Sequence, residues 1–454
     1  MLGRTAALPL HLTSATLLRV SAEGVATALV LTVQARTGDA ATAGYLQTAM
    51  TLPYVLSGPL IGNALDRVGR PRRVAVVLAA GYAVATVVLL AMAGRSPLVL
   101  ALCVAAVIGC TEPIVVALTS LLPRFVPAGR LSRAYGLEAS SYNLAGIAGP
   151  GLAAGLASLA GGQYAGVAIV AVGALGLLTL PLLPFPGPSA SSDGEPGTPP
   201  GPDKSPDPGP PLEAGPPLDA GPASDVGAGS GVAVGSTGEG AVSGAAAWFS
   251  MMTGGLTVLV EGRVLRALTV ATTLAWMGFG GVAVTAVLLA GHIGAAPSAG
   301  GQMLVALAVG SLAGSLASSR WLTPRHGEPV MIAGLVGFGT SLAALAVTPS
   351  LPWAMAACVA AGICEGPVFA ATLMLRQRES PPDRLGQVNT TAGSLKIGAS
   401  AVGAALTAAS AEAIGPVGLV LAIAGFQFAG AAAGLLLLRV PAREKPVDPV
   451  GRGS

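Results

Sequence analysis

Charge is the scarcest commodity in this 454-residue chain, with Asp, Glu, Lys and Arg making up 10% of it; soluble globular domains carry about 25%. Together with 52% hydrophobic residues and a mean hydropathy of +0.72, that deficit excludes a soluble fold. Lysine is rarer still. The three lysines follow Asp203, Leu395 and Glu444, so the chain has no Gly-Lys pair and no phosphate-cradling P-loop. ATP does not drive this protein directly. The histidines, His11, His292 and His326, lie far apart, outside any HExxH or Cys/His ligand pattern, so no metal site and no cofactor are expected. A nucleophile elbow needs a strand feeding a helix, which an all-helical chain does not supply, so no enzyme is expected either. Cys103, Cys110, Cys358 and Cys364 all fall inside apolar runs and are expected to be free, buried thiols. A formal net charge of +3 is too small to indicate a nucleic-acid partner, and basic residues beside apolar runs usually report membrane orientation.

What the chain does have is long apolar runs. Six fall near Leu10 to Val33, Ala43 to Leu65, Val74 to Ala93, Leu98 to Leu121, Ala134 to Ala160 and Tyr164 to Leu183. Six more lie near Val264 to Ala290, Ser298 to Ser319, Pro329 to Val347, Trp353 to Leu375, Leu385 to Ser410 and Gly415 to Leu438. At about 20 residues per membrane-spanning helix, twelve spans would use about 240 residues, the scale of a polytopic transporter. The first run has no convincing cleavage site after it and is expected to stay as a signal anchor. Between the two sets, Gly187 to Ala245 is rich in Pro, Gly, Ala, Ser and Asp, with eight acids against Lys204, too little apolar surface to offset ordering entropy. The expected organisation is an N-terminal six-helix half over 1–186, a disordered cytoplasmic linker over 187–246, a C-terminal six-helix half over 247–440 and a cytoplasmic tail over 441–454. Ala247 to Arg266 reads as an interfacial helix leading into the seventh span, or simply as more linker.

With the N-terminus cytoplasmic, 20 Lys and Arg residues fall in cytoplasmic segments, Arg376 among them, against Arg36 and Arg95 outside. Both termini are therefore expected in the cytoplasm. The two sets of runs also repeat. A shift of 254 residues aligns Cys110 with Cys364, Pro113 with Pro367, Arg124 with Arg378, Pro127 with Pro381, Arg130 with Arg384, Ser140 with Ser394 and Gly149 with Gly403. Such a direct repeat implies halves related by an axis along the membrane normal.

Between the second and third runs stands GNALDRVGRPRR, from Gly62 to Arg73. Gly62 permits close helix packing, and Asp66 sits beside a run of arginines. Gly62, Asp66, Arg67, Gly69 and Arg70 together resemble the loop signature of the major facilitator superfamily, and the twelve-run layout extends that resemblance over the chain outside the linker. In that family the loop forms a charge relay that latches the two halves on the cytoplasmic side. Carried over, Asp66 and the arginines after it would hold an outward-facing state. The equivalent second-half loop, from Gly314, has Ser318 where the acid should be. In the fifth run, Gly149 and Pro150 resemble the glycine-proline centre of the signature of the family's drug:proton antiporters, although Ala145, Ala153 and Ala154 occupy positions where that signature prefers glycine. Small residues at such spacing also simply let membrane helices approach closely.

Ionisable groups inside spans are rare and costly, so each is a functional candidate. Arg19 and Glu23 lie four apart on one helical face and are expected to neutralise each other or to line a cavity together. Glu112 and Glu365 sit within a residue of equivalence in the repeat, each beside a proline, where a midplane site belongs. A carboxyl group in such a low-dielectric setting can load and release a proton near neutral pH. Lys396 aligns with Tyr142 and reads as a counter-ion to Glu365 or a substrate anchor. Glu138, nearer the cytoplasmic end, reads as a surface partner of the arginines there.

The expectation is thus an all-α membrane protein of twelve transmembrane helices in two six-helix halves: a secondary transporter of the major facilitator type, monomeric and working by alternating access. Its partners would be a small-molecule substrate, protons and the lipid bilayer. A cavity of Ala, Gly and Leu with few polar groups would suit export of small amphiphilic or apolar compounds in exchange for protons. Proton-linked nutrient uptake, or a transporter-like sensor or scaffold, are the alternatives. The excess of Arg over Lys and the wealth of Ala, Gly and Pro fit a high-GC bacterial gene and a bacterial cytoplasmic membrane.

Overall fold

The computed structural model describes residues 4–38, 40–68, 71–124, 126–183, 253–296 and 299–439. The loop residues Gly69 and Arg70, the linker at 187–246 and the tail at 441–454 lie outside the described residues. The described chain is helical throughout: α1 (Arg4–Thr37), α2 (Ala40–Arg67), α3 (Pro71–Met92), α4 (Leu98–Thr111), α5 (Ile114–Ala117), α6 (Leu131–Ala160) and α7 (Ala165–Thr179) in the N-terminal set. The C-terminal set has a helix over 253–261, taken as α8, then α9 (Arg263–Phe279), α10 (Val282–His292), α11 (Ala299–Trp321), α12 (Gly327–Ala344), α13 (Leu351–Glu379) and α14 (Leu385–Arg439). Of the stretch expected to be interfacial helix or linker, 253–261 is helical and separated from α9 by Gly262; 247–252 lie outside the described residues.

Among the described residues nine helical stretches are long and apolar enough to cross a membrane, and α9 with α10, bent by 43°, makes ten. α14 is two helices joined across Gly415, whose φ of 66° lies in the left-handed region that glycine adopts without steric cost. Large apolar side chains such as Val77, Val99 and Leu178 stand exposed on the bundle, as lipid-facing surfaces require. The same reasoning corrects the expectation for the cysteines. Cys358 is buried, Cys364 is intermediate, and Cys103 and Cys110 are exposed, because an apolar run in a membrane bundle faces lipid as readily as protein.

One proline break is accommodated by a neighbouring helix. Pro113 has no N–H to donate to the Gly109 carbonyl four residues back; that carbonyl accepts instead from Ser57 Oγ of α2 at 3.1 Å. The interruption separates α4 from α5 and leaves Glu112 at the break.

Two apolar clusters lie toward one end of the bundle and do not mix. One runs through Val33, Leu46, Leu89 and Ile169, all N-terminal; the other through Leu289, Met303, Leu342 and Val420, all C-terminal. At the other end, where α2 finishes at Arg67 and α14 begins, the sets meet. A shared cluster there joins Leu122, Tyr135 and Ala139 to Leu322, Ala371 and Met374. The bundle is therefore closed at this arginine-rich end.

The repeat explains matched close approaches. A Cβ at Gly149 would stand 2.6 Å from the Val20 carbonyl oxygen and 2.7 Å from the Gly24 nitrogen of α1, and Gly403 meets the Met277 backbone of α9 in the corresponding way. Adding one methyl group by Gly149→Ala should therefore lower thermal stability in detergent by about 1–3 kcal/mol through overpacking. Gly151→Ala, with open space around it, should not. Equal melting temperatures for the two variants would show that α1 and α6 have room to part.

Candidate functional site: a charged cavity between the two helix sets

Polar residues recur at helical spacing along otherwise apolar segments, and this periodicity builds the site. In α1, Arg19, Ala22, Glu23 and Ala26 present one face; in α2, Gln47, Met50, Thr51 and Tyr54 do the same. Spacings of three, four and seven residues bring side chains onto one stripe. From the C-terminal set come Trp276 and Phe279 of α9, Phe369, Leu373 and Arg376 of α13, and Gly393, Lys396 and Ile397 of α14. With Glu112 and Tyr142 these stripes enclose a cavity of about 530 Å³, within the range of small-molecule sites. It is more polar than the Ala, Gly and Leu cavity expected from composition, because the scarce ionisable groups of the membrane segments concentrate here.

Arg19 is 1% exposed and does not pair with Glu23. Its Nη2 donates to Glu138 Oε1 at 2.5 Å and to Thr119 Oγ1 at 3.0 Å. Its Nη1 donates to Ser141 Oγ at 2.5 Å. Its guanidinium lies 3.7 Å from the centroid of the Tyr142 ring. Glu138 is fully buried, with His11 Nε2 a further 3.3 Å away, which corrects its reading as a surface partner of loop arginines. The cause is helical: Glu138 lies on the α6 face that also carries Tyr135, Ser141 and Tyr142, turned toward α1.

Glu23 is exposed to the cavity and Glu112 is half-buried. The two act on one another electrostatically, and neither makes an ion pair with a described residue. Glu365 is not brought together with Glu112. It sits in a smaller adjoining pocket that Lys396 also lines and accepts a hydrogen bond from Ser311 Oγ of α11. Nor is Lys396 paired with Glu365 within ion-pair distance among the described residues. Its Nζ lies 5.4 Å from the Trp276 ring centroid and 5.5 Å from that of Phe369. Arg376, counted from the sequence as a cytoplasmic marker, instead turns inward, 3% exposed, and lines the cavity. The signal that could have found it is its spacing of seven residues from Phe369, which places both on one α13 face.

The arginine-rich end is held by backbone contacts. Asp66 Oδ1 accepts from the Gly386 N–H at 2.9 Å and Oδ2 from the Gln387 N–H at 2.8 Å, so an acid of the N-terminal set caps the first turn of α14. Those N–H groups have no helical partner of their own, and the helix dipole favours an anion there. Arg67 is exposed and Arg124 lies within electrostatic reach of Asp66; the principal partner of Asp66 is thus a helix terminus rather than an arginine. Gly62 makes the approach possible, since a Cβ there would meet the Gln387 Cα at 2.6 Å. A matching seam joins α6 to α11, where Ser140 Oγ meets Ser315 Oγ at 3.0 Å and Asn143 Nδ2 donates to the Ser311 carbonyl at 3.2 Å.

An all-helical apolar bundle that closes at one end around a charged central cavity is the architecture of a membrane transporter. The family model described as Major Facilitator Superfamily matches residues 12–260 and 268–453. The chain belongs to that superfamily, whose members are transporters, and is a multi-pass membrane protein. It is 25% identical over 415 residues to an uncharacterized MFS-type transporter of Sinorhizobium fredii, covering 87% of this chain and 86% of that one. Its fold is similar to that of the human organic anion transporter MFSD10 (TETRAN), at a TM-score of 0.71 and 15% identity over 96% of this chain and 100% of that one. A bacterial homologue of the iron transporter ferroportin, in an outward-facing state, gives a TM-score of 0.65 at 13% identity over 95% and 98%.

Two outcomes follow from these contacts. Glu138→Gln leaves Arg19 buried without its anion and should cost about 3–5 kcal/mol of stability, read as a lower melting temperature; Glu23→Gln should leave that temperature nearly unchanged. Asp66→Asn removes a charge-assisted cap worth about 1.5–3 kcal/mol, loosening the closed end. In a cysteine-free background carrying Ala26→Cys, maleimide labelling of the cavity should slow by about tenfold as the population shifts. An unchanged rate would show that Asp66 does not bias the equilibrium.

Proposed function

We propose that the chain is a proton-coupled secondary transporter that moves small amphiphilic compounds by alternating access. One observation supports this reading: Glu23 and Glu112 face the same open cavity with no ion-pair partner among the described residues, while Arg19, which stands on the Glu23 face, is held by Glu138. Carboxyl groups so placed can exchange protons with the cavity and make opening of the closed end depend on protonation. Glu365, hydrogen-bonded to Ser311 in its own pocket, then modulates Lys396 rather than carrying the principal proton.

The layout we infer is twelve spans in two six-helix halves. α9 with α10 forms one span, Gly415 divides α14 into two, and α2, less apolar because its cavity face carries Gln47, Thr51 and Tyr54, completes the set. The positive-inside rule supports a cytoplasmic arginine-rich end and cytoplasmic termini in a bacterial cell; on that reading the bundle is outward-open and latched by Asp66. Export in exchange for protons is the favoured direction, on the resemblance of Gly149 and Pro150 to the antiporter signature. The polar cavity wall favours proton-linked uptake as a second reading.

In everted vesicles containing the protein, addition of transported compound under an imposed proton gradient should change internal pH, alkalinising for exchange and acidifying for co-transport. Glu23→Gln and Glu112→Gln, which mimic permanently protonated acids, should each reduce that coupling by at least tenfold while leaving binding intact. Full coupling in the double variant would remove both acids from the mechanism.

A further inference from the structure

The C-terminal wall of the cavity carries two buried cations, neither of which makes an ion pair with a described residue. Arg376 is 3% exposed, and its Nε and Nη2 are buried with no hydrogen-bond partner. Lys396 is 6% exposed; the faces of Trp276 and Phe369 lie near its ammonium group, and Glu365 attracts it from the adjoining pocket without reaching ion-pair distance. The two cations repel one another. The acids that might serve them are placed otherwise. Glu138 is held by Arg19, Glu365 accepts from Ser311, and Glu23 and Glu112 belong to the N-terminal helices opposite.

Burying charge without a partner costs several kcal/mol per ion, and a polar group left unsatisfied adds to it. Such an arrangement is retained where the missing counter-ion arrives from outside. We propose that Arg376 and Lys396 form an anion-binding subsite, and that the cargo is an amphiphile with one carboxylate or sulfonate group and an aromatic or apolar body. The acidic group takes the planar fork of Arg376 and the point charge of Lys396. The body lies along Trp276, Phe279 and Phe369, which line the same wall. This inference rests on the transport reading only for the word cargo; the subsite itself is a binding property.

The test is equilibrium dialysis of the purified full chain against three probes of one shape: 2-naphthoate, 2-naphthamide and 2-naphthylmethylammonium. We expect naphthoate to bind at least tenfold more tightly than the amide, about 1.4 kcal/mol, with the ammonium compound weakest. Arg376→Gln and Lys396→Gln should each cut that preference by about tenfold while leaving amide binding unchanged, which shows that the fold survives. Equal binding of carboxylate and amide, tighter binding of the ammonium probe, no saturable naphthoate binding, or an undiminished preference in the double variant would each overturn the proposal. No gradient or transport enters this measurement. Anion preference without proton coupling would overturn the transport mechanism alone, and coupling without anion preference would overturn the subsite alone.

Discussion

A charge inside an apolar bundle must find compensation or be displaced, and in this chain Arg19 takes most of what is available in the N-terminal set. Its guanidinium occupies Glu138, Thr119 and Ser141 at once and stacks on Tyr142. Three helical segments are tied together by that one group. The consequence lies in what it leaves alone: Glu23, one turn further along α1, keeps no ion-pair partner among the described residues and opens to the cavity with Glu112. A paired charge and one without an ion pair among the described residues are thereby separated within two turns of the same helix. A pairing of Arg19 with Glu23 would have produced a self-satisfied α1 and a cavity with one acid fewer.

The closed end is built from contacts of a different kind. Where the two helix sets cross, the residues are small or hydroxylated: Gly62 against Gln387, Gly136 against Ser319, Ser140 against Ser315. These small and polar contacts lie beside the shared apolar cluster of Leu122, Tyr135, Leu322 and Met374, and close backbone approach there yields good dispersion contact and short hydrogen bonds. Water can replace a serine hydroxyl bond at small net cost and the charge-assisted Asp66 cap at about 1.5–3 kcal/mol, whereas parting the interdigitated clusters within either set would expose much more apolar area. The polar part of the seam is therefore easier to part than the core of either set, as the alternating access proposed above requires.

Much of this was legible in the sequence, and the residues show why. Hydropathy placed the helices because bilayer thickness sets their length. The resemblance to the superfamily's loop signature implied that Asp66 and Gly62 stand where the two sets meet; the charge relay with arginines that it also implied is here an acid on the first turn of α14. The shift of 254 residues paired Gly149 with Gly403 and Ser140 with Ser394, and both pairs do matched work, the glycines against the first helix of their own set and the serines at the seam. Partners far apart in sequence were not legible. Arg19 and Glu138 are 119 residues apart, and helical periodicity on α1 alone made Glu23 the nearer candidate. Arg376 was misplaced by the orientation rule, which counts basic residues near helix ends and takes no account of which way they turn.

That last error bears on how a membrane chain of this kind should be interpreted. An arginine in the final turn of a span can extend toward the headgroups at little cost, and most in this chain do so; Arg378, two residues on, reaches the Pro324 carbonyl and Glu328 on the arginine-rich face. Two residues along a helix is a rotation of about 200°, so one of the pair must face inward if the other faces out. The inward one abandons the easy solvation that its position offers. Its burial among Phe369, Leu373 and Tyr142 gains no counter-ion within the described protein, so the stability of the resting state cannot account for it. On the subsite proposed above, the charge on Arg376 serves a species that enters the cavity, and its position at the closed end would put that species where opening of the seam must begin.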